Sequence, residues 1–194
     1  MNSVLALIFA FSSAAEAAPT QTLSVRPARL IWPTLDARYE SALGDQGAWF
    51  VDGMAGRYNP VLLRVVNGIL NQEGSTYTVK GTNFGVGGGY TYHFKDFTRG
   101  WGVGAIADVE RFALSIDGEG EGDSSGVALT MLSAGAQGGW KRAWDSGFTL
   151  GFQAQLKYGR ALGVKGTGNI EGELSSASES GLVTDFATYL GWSF

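Results

Sequence analysis

Residues 147–160 read Gly147-Phe148-Thr149-Leu150-Gly151-Phe152-Gln153-Ala154-Gln155-Leu156-Lys157-Tyr158-Gly159-Arg160, an alternation without a break. Phe148, Leu150, Phe152, Ala154, Leu156 and Tyr158 fall on one side, and Gly147, Thr149, Gly151, Gln153, Gln155, Lys157 and Gly159 on the other. A period of two is that of a β-strand, whose successive side chains point to opposite faces. The run exceeds ten residues, the length a tilted strand needs to cross a bilayer, whereas strands of soluble proteins average about five to six.

The same pattern recurs along the chain. In residues 83–95, Phe84, Val86, Gly88, Tyr90, Tyr92 and Phe94 oppose Asn83, Gly85, Gly87, Gly89, Thr91, His93 and Lys95. In 31–40, Ile31, Pro33, Leu35, Ala37 and Tyr39 oppose Trp32, Thr34, Asp36, Arg38 and Glu40, and in 101–110, Trp101, Val103, Ala105, Ala107 and Val109 oppose Gly102, Gly104, Ile106, Asp108 and Glu110. Aromatic residues cluster at segment ends (Trp49, Phe94, Trp101, Trp140, Phe148, Tyr158, Trp192), where interfacial girdles of a membrane barrel sit. The segment 182–194 carries Leu182, Thr184, Phe186, Thr188, Leu190, Trp192 and Phe194 on one face.

Composition agrees. Charged residues make up 16% of the 194, against roughly 25% in an ordinary soluble domain. A surface with so little charge suits a wall that faces lipid. The net charge of −4 and the lack of a basic stripe argue against nucleic acid as a partner. Cys is absent, which removes disulfides, thiolate chemistry and Cys-ligated metals.

The first segment, Val4-Leu5-Ala6-Leu7-Ile8-Phe9-Ala10-Phe11 followed by small residues and Ala15-Glu16-Ala17, has the shape of a secretory signal with a small-x-small cleavage site. No Lys or Arg precedes it, which leaves room for a start upstream of Met1. The expected organisation is a signal peptide over 1–17 and a single barrel domain over 18–194.

Connections at 43–47, 95–100 and 142–147 are short; those at 58–82, 115–126 and 161–182 are long and rich in Gly, Ser and acid. Turns trimmed at one rim and loops elaborated at the other are the habit of outer-membrane barrels. Counting back from 182–194 gives strands at 147–160, 126–142, 100–114, 82–95, 48–57 and 32–42, and an even number requires one more near 21–29. The expected fold is all-β, a closed antiparallel up-and-down transmembrane barrel of about eight strands.

The stretch Tyr39-Glu40-Ser41-Ala42-Leu43-Gly44-Asp45, together with the C-terminal set Phe186, Leu190, Trp192 and Phe194, resembles the small eight-stranded bacterial outer-membrane barrels of the OmpA/OmpX type, in particular an uncharacterised family of them. The resemblance implies that this C-terminal set is the assembly signal read by the outer-membrane insertion machinery. It implies a Gram-negative outer-membrane location, among outer-membrane lipids and lipopolysaccharide, and no activity.

Eight strands leave a bore just wide enough for side chains to fill. The inward set is Asp36, Arg38, Glu40, Asp52, His93, Lys95, Asp108, Glu110, Lys141, Gln153, Gln155, Lys157 and Asp185, with both signs present, and a mutually paired lumen network is expected. Inward glycines keep a narrow pore for small polar solutes as the alternative. A lipid-modifying enzyme would need a nucleophile beside His93, the one histidine, and no Ser stands at a recognisable spacing from it. No catalytic residue and no cofactor is therefore expected. Asp117, Glu119, Glu121 and Asp123 alternate with Gly in a loop that can wrap a hard cation, though without full EF-hand spacing. Within 58–82, Val61, Leu62, Val65, Val66, Ile69 and Leu70 are spaced to line one face of a short helix, expected in an external loop, where it caps the mouth, lies on lipid or docks a protein partner.

Overall fold

The structure, a computed structural model, describes residues 18–30, 34–57, 77–118, 124–167 and 180–194. Its elements in chain order are β1 (Gln21–Val25), α1 (Pro27–Leu30), β2 (Thr34–Leu43), β3 (Gly47–Arg57), β4 (Tyr77–His93), β5 (Arg99–Gly118), β6 (Ser124–Ala143), β7 (Phe148–Thr167) and β8 (Ser180–Ser193). Each strand pairs antiparallel with the next, and β8 returns to β1, so the sheet is a closed barrel of eight strands.

The period-two alternation places apolar side chains outside and polar ones inside. Leu35, Val51, Phe84, Val86, Trp101, Phe152 and Leu156 are exposed, and Phe186 is 80% exposed. Asp36, Arg38, Glu40, Asp108, Lys141 and Lys157 are buried in the bore. The expected registers hold: along β7 the odd positions Gly151 to Gly159 are buried and the even ones between them exposed.

Two expectations change. The strand near 21–29 ends at Val25, because Pro27 has no N–H to give a ladder and instead opens α1. The three long loops are shorter than their polarity suggested: β4 begins at Tyr77, β5 runs to Gly118, β6 starts at Ser124, and β7 reaches Thr167. Polar residues there pair as strands because backbone hydrogen bonds do not require an apolar face. Among the described residues the helix is α1, in the β1–β2 connection; the expected helix over Pro60–Leu70 lies outside the described residues, as does the expected signal segment 1–17.

At the end of the barrel with the short turns, backbone hydrogen bonds link one turn to the next. Phe97 N–H donates to Asp45 O at 3.0 Å, Ala143 to Thr98 O at 2.6 Å and Ser193 to Gly147 O at 2.7 Å. Phe194 N–H donates to Gln21 O at 2.9 Å, and its carbonyl accepts from Thr20 and Gln21. Gly147 sits at φ +87°, a left-handed turn position, with Trp192 covering the place a Cβ would take.

Inside, glycine makes room. A Cβ on Gly89 would stand 2.7 Å from Cζ of Phe50 and press on the carbonyl oxygen of Ala105. Gly53, by contrast, has nothing within 4 Å of a built Cβ. Gly89→Ala is expected to cost about 1–3 kcal/mol through overpacking, while Gly53→Ala leaves stability nearly unchanged. Thermal unfolding followed by far-UV circular dichroism checks the pair; equal melting temperatures for the two variants would contradict the packing described.

Candidate functional site: the polar lumen

Inward positions of neighbouring strands stack in layers. At the turn end, Thr22 and Ser193 hydroxyls are 2.8 Å apart across the β1–β8 seam, and Thr149 of β7 joins Ser193 at 2.6 Å. Beside them, the β4–β5 turn folds Phe97 into the mouth, where it is 3% exposed. Lys141 Nζ lies 3.5 Å above the Phe97 ring centroid, and the His93 ring meets Phe97 edge-on at 5.8 Å.

Next come Glu40 of β2, Lys141 of β6 and His93 of β4. Lys141 donates to Glu40 Oε2 at 2.6 Å, and His93 Nε2 lies 3.3 Å from Glu40 Oε1. At mid-depth, Arg38 forks onto Asp52, with Nε to Oδ1 at 2.6 Å and Nη2 to Oδ2 at 2.7 Å, the bidentate geometry that suits a guanidinium. Its third nitrogen donates to Gln153 at 2.7 Å, and its Cζ lies 4.1 Å from the Phe50 ring centroid and 4.7 Å from that of Tyr189. Gln137 donates to Thr91 at 2.7 Å in the same region.

Toward the other end, Arg26 donates to Asp185 at 2.7 Å and to the Tyr189 hydroxyl at 2.6 and 2.9 Å. Asp36, 4% exposed, lies 3.5 Å from Arg26 and 3.4 Å from Arg29. Lys157 of β7 bonds Asp108 of β5 at 2.7 Å, with Glu110 at 3.9 Å. Acids Asp36, Glu40, Asp52, Asp108, Glu110 and Asp185 thus meet the cations Arg26, Arg29, Arg38, Lys141 and Lys157, and each charge has a partner of opposite sign.

Two cavities interrupt the packing. One of about 60 Å³ lies among Arg38, Glu40, His93 and Gln137, and one of about 30 Å³ among Arg26, Asp52, Asp108 and Asp185. The Arg38–Asp52 pair, with one member on each cavity, stands between them. Among the described residues the first cavity borders two buried polar atoms without a partner, Nδ1 of His93 and Oε1 of Gln137, and the second borders one, Oδ1 of Asp108.

The structure brings together every expected lumen charge except Lys95. That residue lies in the β4–β5 turn and is exposed, because the strand ends at His93 and the chain bends before Lys95 can point inward; Phe97 fills the mouth instead. Unanticipated members are Arg26, Arg29, Phe50, Phe97 and Tyr189. Phe50, Arg26 and Tyr189 stand at inward positions of their alternations, a signal present in the sequence; Arg29 and Phe97 arrive through α1 and a turn, which carry no alternation. Of the loop carboxylates, Glu119, Glu121 and Asp123 lie outside the described residues and Asp117 is described by its backbone alone; among the described residues no cluster of His, Asp or Glu is placed to hold a metal. Comparison with family profiles, curated proteins and solved structures finds no match to this chain.

The turn that carries Phe97 is held by Asp96. Burial opposes its charge, but hydrogen bonds from the Thr98 hydroxyl and amide and from Arg99 outweigh that and keep the carboxyl below its ordinary value of 3.8. A depressed carboxylate stabilises the fold above its unfolded pKa and loses that contribution as pH falls through the folded value. Amide exchange at Thr98 and Arg99 should therefore accelerate, relative to exchange in a short peptide, only below about pH 4. An acceleration centred near neutrality would point to another group.

Arg38→Ala leaves the part-buried Asp52 without its partner and Gln153 without the Arg38 donor. Removing one member of a buried pair costs about 3–5 kcal/mol, and the loss should appear as a lowered denaturation midpoint in guanidinium chloride. A midpoint within error of the parent would show that the pair contributes nothing.

Proposed function

We propose that this barrel is an integral protein of a bacterial outer membrane, of the small eight-stranded type, with a structural or surface-interaction role and no catalysis. Its lumen is closed by the ion-pair network, and its working surface is the rim opposite the short turns. The observation that carries this reading is the inverted polarity, with aromatic and aliphatic side chains outside and paired charges inside. In water such a wall would be a continuous apolar patch; in lipid it is the stable arrangement.

The height of the apolar wall supports the same reading. From outward Trp101 to outward Arg111 is ten residues of β5, and a strand tilted by about 45° rises roughly 25 Å over that length, the height of a membrane-barrel band. Tyr90, Tyr92, Phe94 and Trp101 crowd the lower margin, as girdle residues do. The apolar run and Ala15–Ala17 supply the export step that this location needs. A narrow pore is the second reading, favoured by the inward glycines and the two cavities.

Expressed with its leader in a Gram-negative host, the protein is expected in the outer-membrane fraction, with faster migration of the unheated than of the boiled sample on gels. Reconstituted in planar bilayers it is expected to give no stepwise conductance. Recovery in the soluble periplasm would overturn the membrane reading. Stable channels from the unmutated protein would leave that reading intact and replace the closed lumen with the pore.

A further inference from the structure

Outward cations occur at both ends of the apolar wall, but they differ in their company. At the turn end, Arg99 pairs with Asp96 at 3.2 Å and Arg142 stacks on Trp144 at 5.1 Å. At the opposite margin, Arg57 of β3 and Arg111 of β5 are exposed, point outward, and have no side-chain partner among the described residues. Arg57 is level with Thr82 of β4, which is level with Ala113 of β5, so Arg111 lies two strands across and two residues down. Strand spacing of about 4.8 Å and a rise of about 3.3 Å per residue put their backbones roughly 12 Å apart. Two arginine side chains reach across that distance to a single group between them. Phe84 of β4 stands level with Arg111, and Val86 and Val109 lie two residues below, so the three form an exposed apolar strip.

We propose that Arg57 and Arg111 clamp the phosphate of an anionic membrane lipid, whose acyl chains lie along Phe84, Val86 and Val109. The guanidinium fork matches phosphate oxygens bidentately, and apolar surface immediately below selects a phosphate that carries hydrocarbon over one free in solution. Lys80, outward on β4 two residues beyond Thr82, extends the same basic edge. The placement orients the molecule, with the leaflet at this end being the one rich in phosphorylated lipid. This inference rests on the membrane reading above and adds a ligand to it.

The test is native mass spectrometry of the purified full-length protein released from detergent, with bisphosphorylated lipid A, its dephosphorylated form and phosphatidylcholine as probes. The parent should retain the phosphorylated form preferentially. R57Q/R111Q should lose about tenfold in retention, the effect of removing a charge-assisted contact, and R57K/R111K should fall between. R142Q, at the other margin, should behave as the parent. Equal retention by the parent and R57Q/R111Q overturns the clamp, and so does displacement of the lipid by inorganic phosphate at millimolar concentration. Insertion into phosphatidylcholine vesicles is followed in parallel: a parent that inserts but shows no preference for phosphate refutes the clamp alone, whereas a parent that fails to insert refutes the membrane reading.

Discussion

Closing eight strands on themselves fixes the width of the bore, and that width constrains every inward side chain. The space is divided unequally around the ring. β4, β5 and β6 contribute Gly85, Gly87, Gly89, Gly102, Gly104, Gly135 and Gly139 to the interior, while β2 contributes Asp36, Arg38 and Glu40. Long side chains from one wall thus occupy the volume that glycines on the facing wall leave free. Where β6 does project a long chain, Lys141, it crosses the bore to meet Glu40. A side chain added to the glycine wall would collide first with the backbone of the neighbouring strand, at Ala105 O for Gly89 and Leu156 O for Gly135, and at Gly89 with the Phe50 ring as well.

Narrowness also decides the electrostatics. Charges held away from bulk water are costly unless each is matched, and the network matches them across strands distant in sequence: Glu40 with Lys141, Lys157 with Asp108, Arg26 with Asp185. Such links do more than neutralise. A slip of one residue in any strand would carry its charges to the apolar exterior, so the pairs pin the register of the whole ring. Phe97 completes the arrangement, presenting its face to the Lys141 ammonium and closing the mouth with hydrocarbon while keeping an electrostatic partner for the cation.

The sequence made the wall legible wherever alternation was long. Phe148 to Tyr158 and Asp36 to Glu40 stand on the faces that period two assigns, and the paired lumen could be read from charges of both signs at inward positions. What the alternation did not convey was anything decided at a strand end. Lys95 continues the inward parity of β4 on paper, but the turn begins before it. Arg29 belongs to a four-residue helix announced only by Pro27, and its contact with Asp36 depends on a bend that no periodicity encodes. Polar strand extensions such as 115–118 of β5 and 124–126 of β6 looked like loops because nothing apolar marks one of their faces throughout. The partners of Arg38 followed the same divide: its inward direction was evident, whereas its choice of Asp52 over Glu40 came from depth in the bore.

The wall is not of even height. β5, β6 and β7 run for 20 residues each, while β1 has five and meets β8 only from Thr22 to Val25. Local opening follows the shortest ladder, since cooperative units separate where fewest hydrogen bonds must break together. The ring therefore has a built-in order of disassembly. The β1–β8 seam frays first, parting Arg26 and Arg29 from Asp185 of β8 while Asp36 of β2 stays beside them, and the four long strands β4 to β7 persist as a sheet. Run backwards, the same order makes the meeting of β1 with β8 the last event of assembly, the one that converts a curled sheet into a tube.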